Sequence, residues 1–314
     1  MRVSTSMIFD TGRNAMMRQN ADFLHTQQQL ATGRRILNPS DDPIGASRAL
    51  EVSQTKSVNE QLQTNQGYAK DALASLESNL GSVNDILTYI RTRAVEAGNA
   101  TLSAAEHKAM AADIEAQFGA LMGIANGKDS TGEYQFAGYQ SGQPAFSGGT
   151  AAPPAGPTAV VYEGDAGVRS IQVGSTRNLP VGEPGSRVFM ADAVTGESQM
   201  FASISAFITE LGKDATDPTR NIPAAVASAI GNMDAAIDNV STIRASVGSR
   251  MVELDALIEL SATHDLQYAE SLSRLQDLDY TEAISRFSKQ QTMLEAAQQS
   301  YVRVTGLSLF NLLR

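Results

Sequence analysis

The chain contains no cysteine, no tryptophan, three histidines and only 6% aromatic residues among its 314 positions. Without cysteine there are no disulfide scaffolds, thiolate zinc sites, iron–sulfur clusters or thiol nucleophiles. His25, His107 and His264 stand far apart in sequence, which leaves little for an imidazole-built metal centre. No stretch approaches the ~18 consecutive apolar residues that a membrane-spanning helix needs. The opening MRVSTSMIFDTGRNAMM has no apolar run of the kind a secretory signal requires, so no cleaved signal peptide is expected. A formal charge of −10 and a pI near 4.8 argue against a basic nucleic-acid footprint. Neither nucleic acid nor membrane is therefore an expected partner.

What the chain has in quantity is alanine, 44 residues within a hydrophobic total of 42%. That suits close helix–helix packing better than a bulky globular core, and the length allows two or three domains. Charge is unevenly spread. Residues 1–40 hold five Arg and two Asp, a net +3; residues 275–314 hold four acids and four bases, a net 0. The middle therefore carries −10 − 3 − 0 = −13. Repulsion among acidic middles keeps copies apart, and the charge-poor ends lack that repulsion.

Periodicity gives the architecture. Phe9, Met16, Phe23, Leu30 and Leu37 recur at sevens, flanked by Met17, Leu24 and Ala31, a narrow coiled-coil seam. Gly33 and Pro39 end it. A second helix is expected from Pro43 to about Gly98, with Leu62, Ala69, Leu76, Val83, Ile90 and Ala97 interleaved with Leu73, Leu80, Leu87 and Ala94. Such a helix spans ~80 Å, longer than a compact domain needs. A third begins at the capping box Ser103-Ala-Ala-Glu106 and presents Ala111, Ile114, Phe118, Leu121 and Ala125.

Between about 127 and 200 the period changes. Glu133–Tyr139, Val160–Glu163, Val168–Val173 and Arg187–Met190 read as short strands, and the Gly/Pro/Ala-rich residues 141–158 as a loop. Helix resumes at about 200–212 and again from about 223, with Ile230, Met233, Ile237, Val240, Arg244, Val247, Met251, Leu254 and Ile258 as its seam. The register slips near Leu275–Leu278. A last seam then follows through Ile284, Phe287, Gln291, Leu294, Gln298 and Tyr301 to Leu309, Leu312 and Leu313. The expected fold is mainly α: a long antiparallel helical bundle or coiled coil from both chain ends, with a small β insert in the middle. Its divisions are 1–40 plus 276–314 as a terminal coiled coil, 41–132 plus 200–275 as a helical rod, and 133–199 as the outward-facing insert.

Catalytic chemistry is hard to place on this chain. No Gly-x-Ser-x-Gly, His-Glu-x-x-His or Gly-x-Gly-x-x-Gly occurs. Gly123–Asp129 comes nearest to a phosphate loop, but it is one residue short and has Asp129 where a Ser or Thr is needed; it reads as a helix C-cap. Asp41 and Asp42 before Pro43 read as helix N-caps, and Glu163 and Asp165 as turn-forming acids. Asp277 and Asp279 read as helix-surface acids or partners of an arginine. Asn99-Ala-Thr101 and Asn239-Val-Ser241 match a glycosylation pattern by chance, and the histidines read as solvated or packed. No catalytic, cofactor-binding or metal residue, no cofactor and no enzyme activity are expected.

The end segments have a different character. Pairing of residues 1–37 with 280–314 buries little area and is marginal alone, and Leu307–Leu313 would be an exposed aliphatic cluster on a monomer. Self-assembly, or binding to a partner, with ends that order on contact follows from this.

Leu30-Ala-Thr-Gly-Arg-Arg-Ile-Leu-Asn-Pro-Ser-Asp-Asp-Pro-Ile-Gly-Ala46 resembles the N-terminal motif of the flagellins and flagellin-like hook-associated proteins. Val304-Thr-Gly-Leu-Ser-Leu-Phe-Asn-Leu-Leu313 resembles the matching end. Tyr134–Tyr139, Tyr162–Arg169, Asp277–Tyr280 and the opening Met1-Arg-Val-Ser-Thr5 are similar to the hook–filament junction members of that family. The resemblance covers both helical flanks and is poor over 141–158; Gln135 also departs from the family's usual apolar residue.

The resemblance implies a structural adaptor that forms a ring or short tube between the first hook-associated protein, hook-associated protein 1, and flagellin. A filament subunit, flagellin itself, is the alternative; an enzyme on a helical stalk would need its site in 133–198. It also implies unfolded export by the flagellar type III machinery, with a cytosolic chaperone, to an extracellular place on the flagellum. Its assembly seam would consist of Phe9, Met16, Phe23, Leu30, Phe287, Leu294, Tyr301, Leu309 and Leu312.

Overall fold

The structure is a computed structural model that describes residues 5–129, 131–149 and 159–311, with side chains described at all of these except 5, 6, 8, 9 and 304–311. In chain order the elements are α1 (Thr5–Thr32), α2 (Pro43–Ala97), α3 (Ala104–Ala125), β1 (Phe146–Gly148), β2 (Val160–Tyr162), β3 (Ser170–Gln172), β4 (Asn178–Pro180), α4 (Gly185–Val188), α5 (Gln199–Gly212), α6 (Ile222–Gln276) and α7 (Tyr280–Asn311). Packing divides the chain into two units, residues 1–60 with 263–314, and residues 61–262. The expected mainly-α fold with a small β insert is the observed one.

In the 61–262 unit the heptad seam of α2 is the spine of the core. Ala69, Leu73, Leu76, Leu80, Val83, Leu87, Ile90, Ala94 and Ala97 are all fully buried. Ion pairs set the direction of α6 against α2: Lys70 meets Asp255, Glu77 meets Arg244, and Arg91 meets Asp234. As the number on one helix rises the other falls, so the two run antiparallel. The seam on α6 differs from the expected one. Met233, Val240, Val247 and Leu254 are buried as expected, but the second row is Ala229, Ala236 and Ile243. Ile230, Ile237 and Met251 lie beside it, half-buried. Arg244 is turned outward to Glu77, accepting this position because its guanidinium donates twice to one carboxylate oxygen at 2.7 and 3.0 Å.

α3 begins as expected. Ser103 Oγ accepts from the Glu106 amide, and Glu106 accepts from the Ser103 amide at 2.6 Å. Its five expected apolar residues are buried, joined by His107, whose ring nitrogens lie 2.9 and 3.0 Å from the carbonyl oxygens of Ser103 and Ala97. Ala97 ends α2, so His107 closes a carbonyl that has no partner within its own helix.

The insert consists of two antiparallel two-stranded ladders, β1–β2 with Phe146 opposite Tyr162 and β3–β4 with Ile171 opposite Leu179. Two expected strands are absent. Glu133–Tyr139 is a run of turns with one bridge, Tyr134 to Lys128. Gly138 at φ +72° and the successive burial of Gln135, Phe136 and Ala137 defeat strand alternation. Arg187–Met190 overlaps the single turn α4 rather than a strand. Part of the expected 141–158 loop is strand β1, and residues 150–158 lie outside the described residues. Phe146, Phe189 and Phe201 pack at centroid distances of 5.1–5.6 Å, with Phe136 and Tyr162 against them, and tie the insert to α5.

Candidate assembly surface

In the unit of residues 1–60 and 263–314, α1 and α7 pack against one another. Phe23 stacks on Phe287 with centroids 4.6 Å apart, and a Cβ placed on Gly12 would stand 3.5 Å from the Tyr301 ring. The pairing is antiparallel. Along α1 the covered row facing α7 is Gly12, Met16, Gln19, Phe23, Thr26 and Leu30, alternating fours and threes, with His25 and Gln29 covered beside it. On α7 they are Ala283, Phe287, Gln290, Leu294, Ala297 and Tyr301. Gln291 and Gln298, expected in the seam, are exposed, as is Ile284. Both versions share Phe287, Leu294 and Tyr301; the helix is turned so that the neighbouring row of Ala283, Gln290 and Ala297 faces α1.

Of the nine seam residues expected from sequence, Met16, Phe23, Leu30, Phe287, Leu294 and Tyr301 thus lie on the facing sides of α1 and α7. The side chains of Phe9 and Leu309, and Leu312 altogether, lie outside the described residues. Gly12, Gln19, Thr26, Gln29, Ala283, Gln290 and Ala297 are covered residues outside the expected seam. All but Gln29 fall at three–four spacing from the seam residues, a signal obscured because Gln19, Thr26 and Gln290 are polar. Gln29 is buried for a local reason: its side-chain amide donates to Arg35 O at 2.6 Å.

The two helices cover their seam only in part. Met16, Phe23, Leu30, Phe287, Leu294 and Tyr301 are all half-buried, none fully. Beside the seam a second set of apolar side chains faces outward: Met17 61% exposed, Leu24 48%, Ile284 57%, Val302 67%. A two-helix layer has no third element to close over such residues.

α1 and α7 are locked to the ends of α2 and α6 within this unit. Gly33 takes φ +69° after the last turn of α1. Arg34 bridges Asp277, the Arg35 amide donates to Gln276 O at 2.7 Å, and the Leu278 amide donates to Gly33 O at 3.0 Å. Asp42 Oδ1 accepts from the Gly45 amide at 2.9 Å, the N-cap read from sequence. That amide, and then the Arg35 guanidinium, hold the Asp42 carboxyl below the usual carboxylate range. Asp41 instead closes the turn, accepting from the amides of Leu37 and Asn38 at 3.0 and 2.9 Å, with His25 Nε2 3.4 Å away. The Asn38 amide is foremost in lowering its pKa. Asp279 caps α7 through the Thr281 and Glu282 amides.

The other candidate acids are structural as well. Asp165 accepts from the amides of Tyr139 and Gly167, and Glu163 from the Ser147 hydroxyl at 2.7 Å. Tyr162 lies with its hydroxyl 2.6 Å from Asp165 O and 3.0 Å from Phe136 O; burial pushes its pKa up to about 12. Among the described residues no group of three or more His, Asp or Glu side chains is disposed to hold a metal ion, and no helix is long and apolar enough to cross a membrane.

Residues 3–141 match the bacterial flagellin N-terminal helical region, and residues 230–313 match the bacterial flagellin C-terminal helical region. Flagellar hook-associated protein 3 of Escherichia coli K12 is 30% identical over 324 residues, covering 99% of each chain. A flagellin of Listeria monocytogenes is 26% identical over 122 residues, 39% of this chain and 41% of its own. The crystal structure of flagellar hook associated protein-3 from Legionella pneumophila superposes with a TM-score of 0.59 at 17% identity, over 71% of this chain and 98% of that one, a likeness of fold. With both flanks matched and a full-length relative at this identity, the chain belongs to the bacterial flagellin-type family, in the line of flagellar hook-associated protein 3.

Proposed function

We propose that the chain is a structural adaptor of the bacterial flagellum that forms a short tubular layer at the hook–filament junction. One side of that layer meets hook-associated protein 1 and the other meets flagellin. The observation that carries this reading is the half-covered α1–α7 seam, with Met17, Leu24, Ile284 and Val302 exposed beside it. Apolar surface left open along a two-helix layer is closed by further helices, and neighbouring copies in a ring supply them at no cost in new sequence. Met16, Phe23, Leu30, Phe287, Leu294 and Tyr301 would then be closed over by the next copy, as would Phe9, Leu309 and Leu312.

The near-neutral ends support this placement, because copies meet there without the repulsion of the −13 middle. Full-length similarity to a hook-associated protein 3, against a partial match to a flagellin, favours the adaptor over the filament subunit. The role is one of assembly, with no catalytic step. Export through the flagellar type III machinery, unfolded and escorted by a cytosolic chaperone, is part of the same reading. A chain without cysteine cannot be trapped in transit by a crosslink.

The test uses purified protein added to hook fragments that carry hook-associated protein 1, followed by electron microscopy. An adaptor adds one limited layer and then accepts flagellin. Growth into long filaments identifies a flagellin instead, and failure to bind the seeds rejects the junction role.

A further inference from the structure

Asn126 is the C-cap of α3, with φ −101° and ψ 20°, and Asn126-Gly127 is the one asparagine–glycine pair in the sequence. Asparagine is a thermolabile residue, and glycine after it leaves the reacting nitrogen uncrowded. The Gly127 backbone nitrogen attacks Asn126 Cγ and loses its proton, a C–N bond forms, and the side-chain amide leaves as ammonia. Water then opens the resulting five-membered imide at either carbonyl, giving aspartate or isoaspartate. No redox partner is needed.

Both residues are demanded by packing. Asn126 Nδ2 donates to Phe146 O at 3.0 Å and its Oδ1 accepts from the Phe146 amide at 2.8 Å. This two-way pair fixes the first residue of β1 to the end of α3. Phe146 itself is buried within the aromatic cluster of the insert. At Gly127 a Cβ would stand 2.9 Å from Ile124 O, which is backbone and cannot turn aside. The fold thus asks for a reactive pair.

The same contacts oppose the reaction. Bringing Cγ over the Gly127 nitrogen requires the side chain to rotate, which breaks both bonds to Phe146. The nucleophile's own N–H is engaged with Ile124 O at 2.9 Å.

We propose that Asn126 is a fold-gated deamidation site, slow in the folded chain and fast whenever the chain is unfolded. Once converted, an aspartate at 126 has no N–H for Phe146 O and sets an anion beside it. A converted chain therefore refolds with β1 detached from α3. The inference is independent of the assembly reading.

The test is mass spectrometry of the tryptic peptide 109–128 from full-length protein held at mildly alkaline pH, in buffer and in denaturing urea. Two hydrogen bonds to be broken correspond to roughly thirty-fold slower conversion in buffer. Equal rates in both, or no conversion in urea, overturn the proposal. A second measurement is amide hydrogen exchange on Asn126→Asp. Faster exchange at Phe146 with unchanged exchange along α2 supports the stated consequence, and unchanged exchange at Phe146 overturns it.

Discussion

Phe23 of α1 and Phe287 of α7 stack at 4.6 Å with their planes 25° apart, and both rings remain half-exposed. The pair is a ring-on-ring contact within the α1–α7 seam. Its geometry adds about 0.5–1.5 kcal/mol beyond the area the rings bury. Replacing either by Ala removes less than a fully buried Phe would, about 1–3 kcal/mol against the 3–5 typical of cores. A double-mutant cycle by urea unfolding checks this: Phe23→Ala and Phe287→Ala together are expected to be less costly than their sum. Additivity within about 0.5 kcal/mol would mean that the rings do not support one another. Under the proposed assembly, incorporation at the junction is expected to fall more steeply than monomer stability, because the same rings would serve both contacts.

Glu183 is the most deeply placed charge in the 61–262 unit, its side chain 1% exposed. One oxygen accepts from Arg250 at 2.6 Å and the other from Arg187 at 3.0 Å. Arg250 lies on α6, so this carboxylate holds the end of the insert to the long helix. Glu183→Ala leaves a guanidinium uncompensated and is expected to cost about 3–5 kcal/mol. Hydrogen exchange is expected to rise first at β3 and β4. A loss under about 1 kcal/mol in urea unfolding would show that solvent takes over the role of the carboxylate.

Acid is expected to loosen the same insert by a second route. Asp129 is partly buried, which by itself raises its pKa. Hydrogen bonds from Thr131, Arg169 and Glu133 outweigh that burial, and the net shift is downward from 3.8. A carboxyl with a lowered folded pKa contributes fully above the unfolded value and loses its contribution as pH falls through the folded one. The stability gap between the native chain and Asp129→Asn is therefore expected to be constant above about pH 4 and to close below it. Urea midpoints across that range check the sign; a gap that persists to the lowest pH would place the contribution elsewhere.

The long helices are legible in the sequence and the insert largely is not. Along α2 each seam position from Ala69 to Ala97 is buried, because a seven-residue repeat sustained for five heptads leaves one choice of face. On α7 the repeat of Phe287, Leu294 and Tyr301 was legible, but the side on which the next row fell was not. Gln290 and Gln291 are chemically identical neighbours, and only the placement of α1 chooses between them. Three-residue strands such as β1 and β4 are shorter than any period that could reveal them. β1 exists where it does because the Asn126 side chain pairs with Phe146, a contact spanning twenty positions. The narrow α1–α7 seam with its polar intrusions predicts a pairing that buries little area, and its apolar members are half-buried in the structure. Gln29 is not legible because its burial serves the turn at 33–42, where its side-chain amide donates to Arg35 O.

Gly33 sits at φ +69°, its amide donating to Gln29 O at 2.8 Å and its carbonyl accepting from Leu278 at 3.0 Å. A Cβ there would stand 2.8 Å from the Tyr280 hydroxyl. Tyr280 is half-exposed and can swing its hydroxyl into solvent, so the steric clash is relieved cheaply. The left-handed backbone cannot be relieved without giving up the Leu278 bond, and strain of about 1–2 kcal/mol is expected in Gly33→Ala. Asparagine tolerates this region better than alanine, so Gly33→Asn is expected to fall between the two. Adding Tyr280→Phe to Gly33→Ala separates the causes: backbone strain predicts no rescue in thermal unfolding, whereas recovery of stability would make the hydroxyl contact the dominant cost. The Leu278 amide is the site at which hydrogen exchange should report the change first, because its partner is the carbonyl of the strained residue.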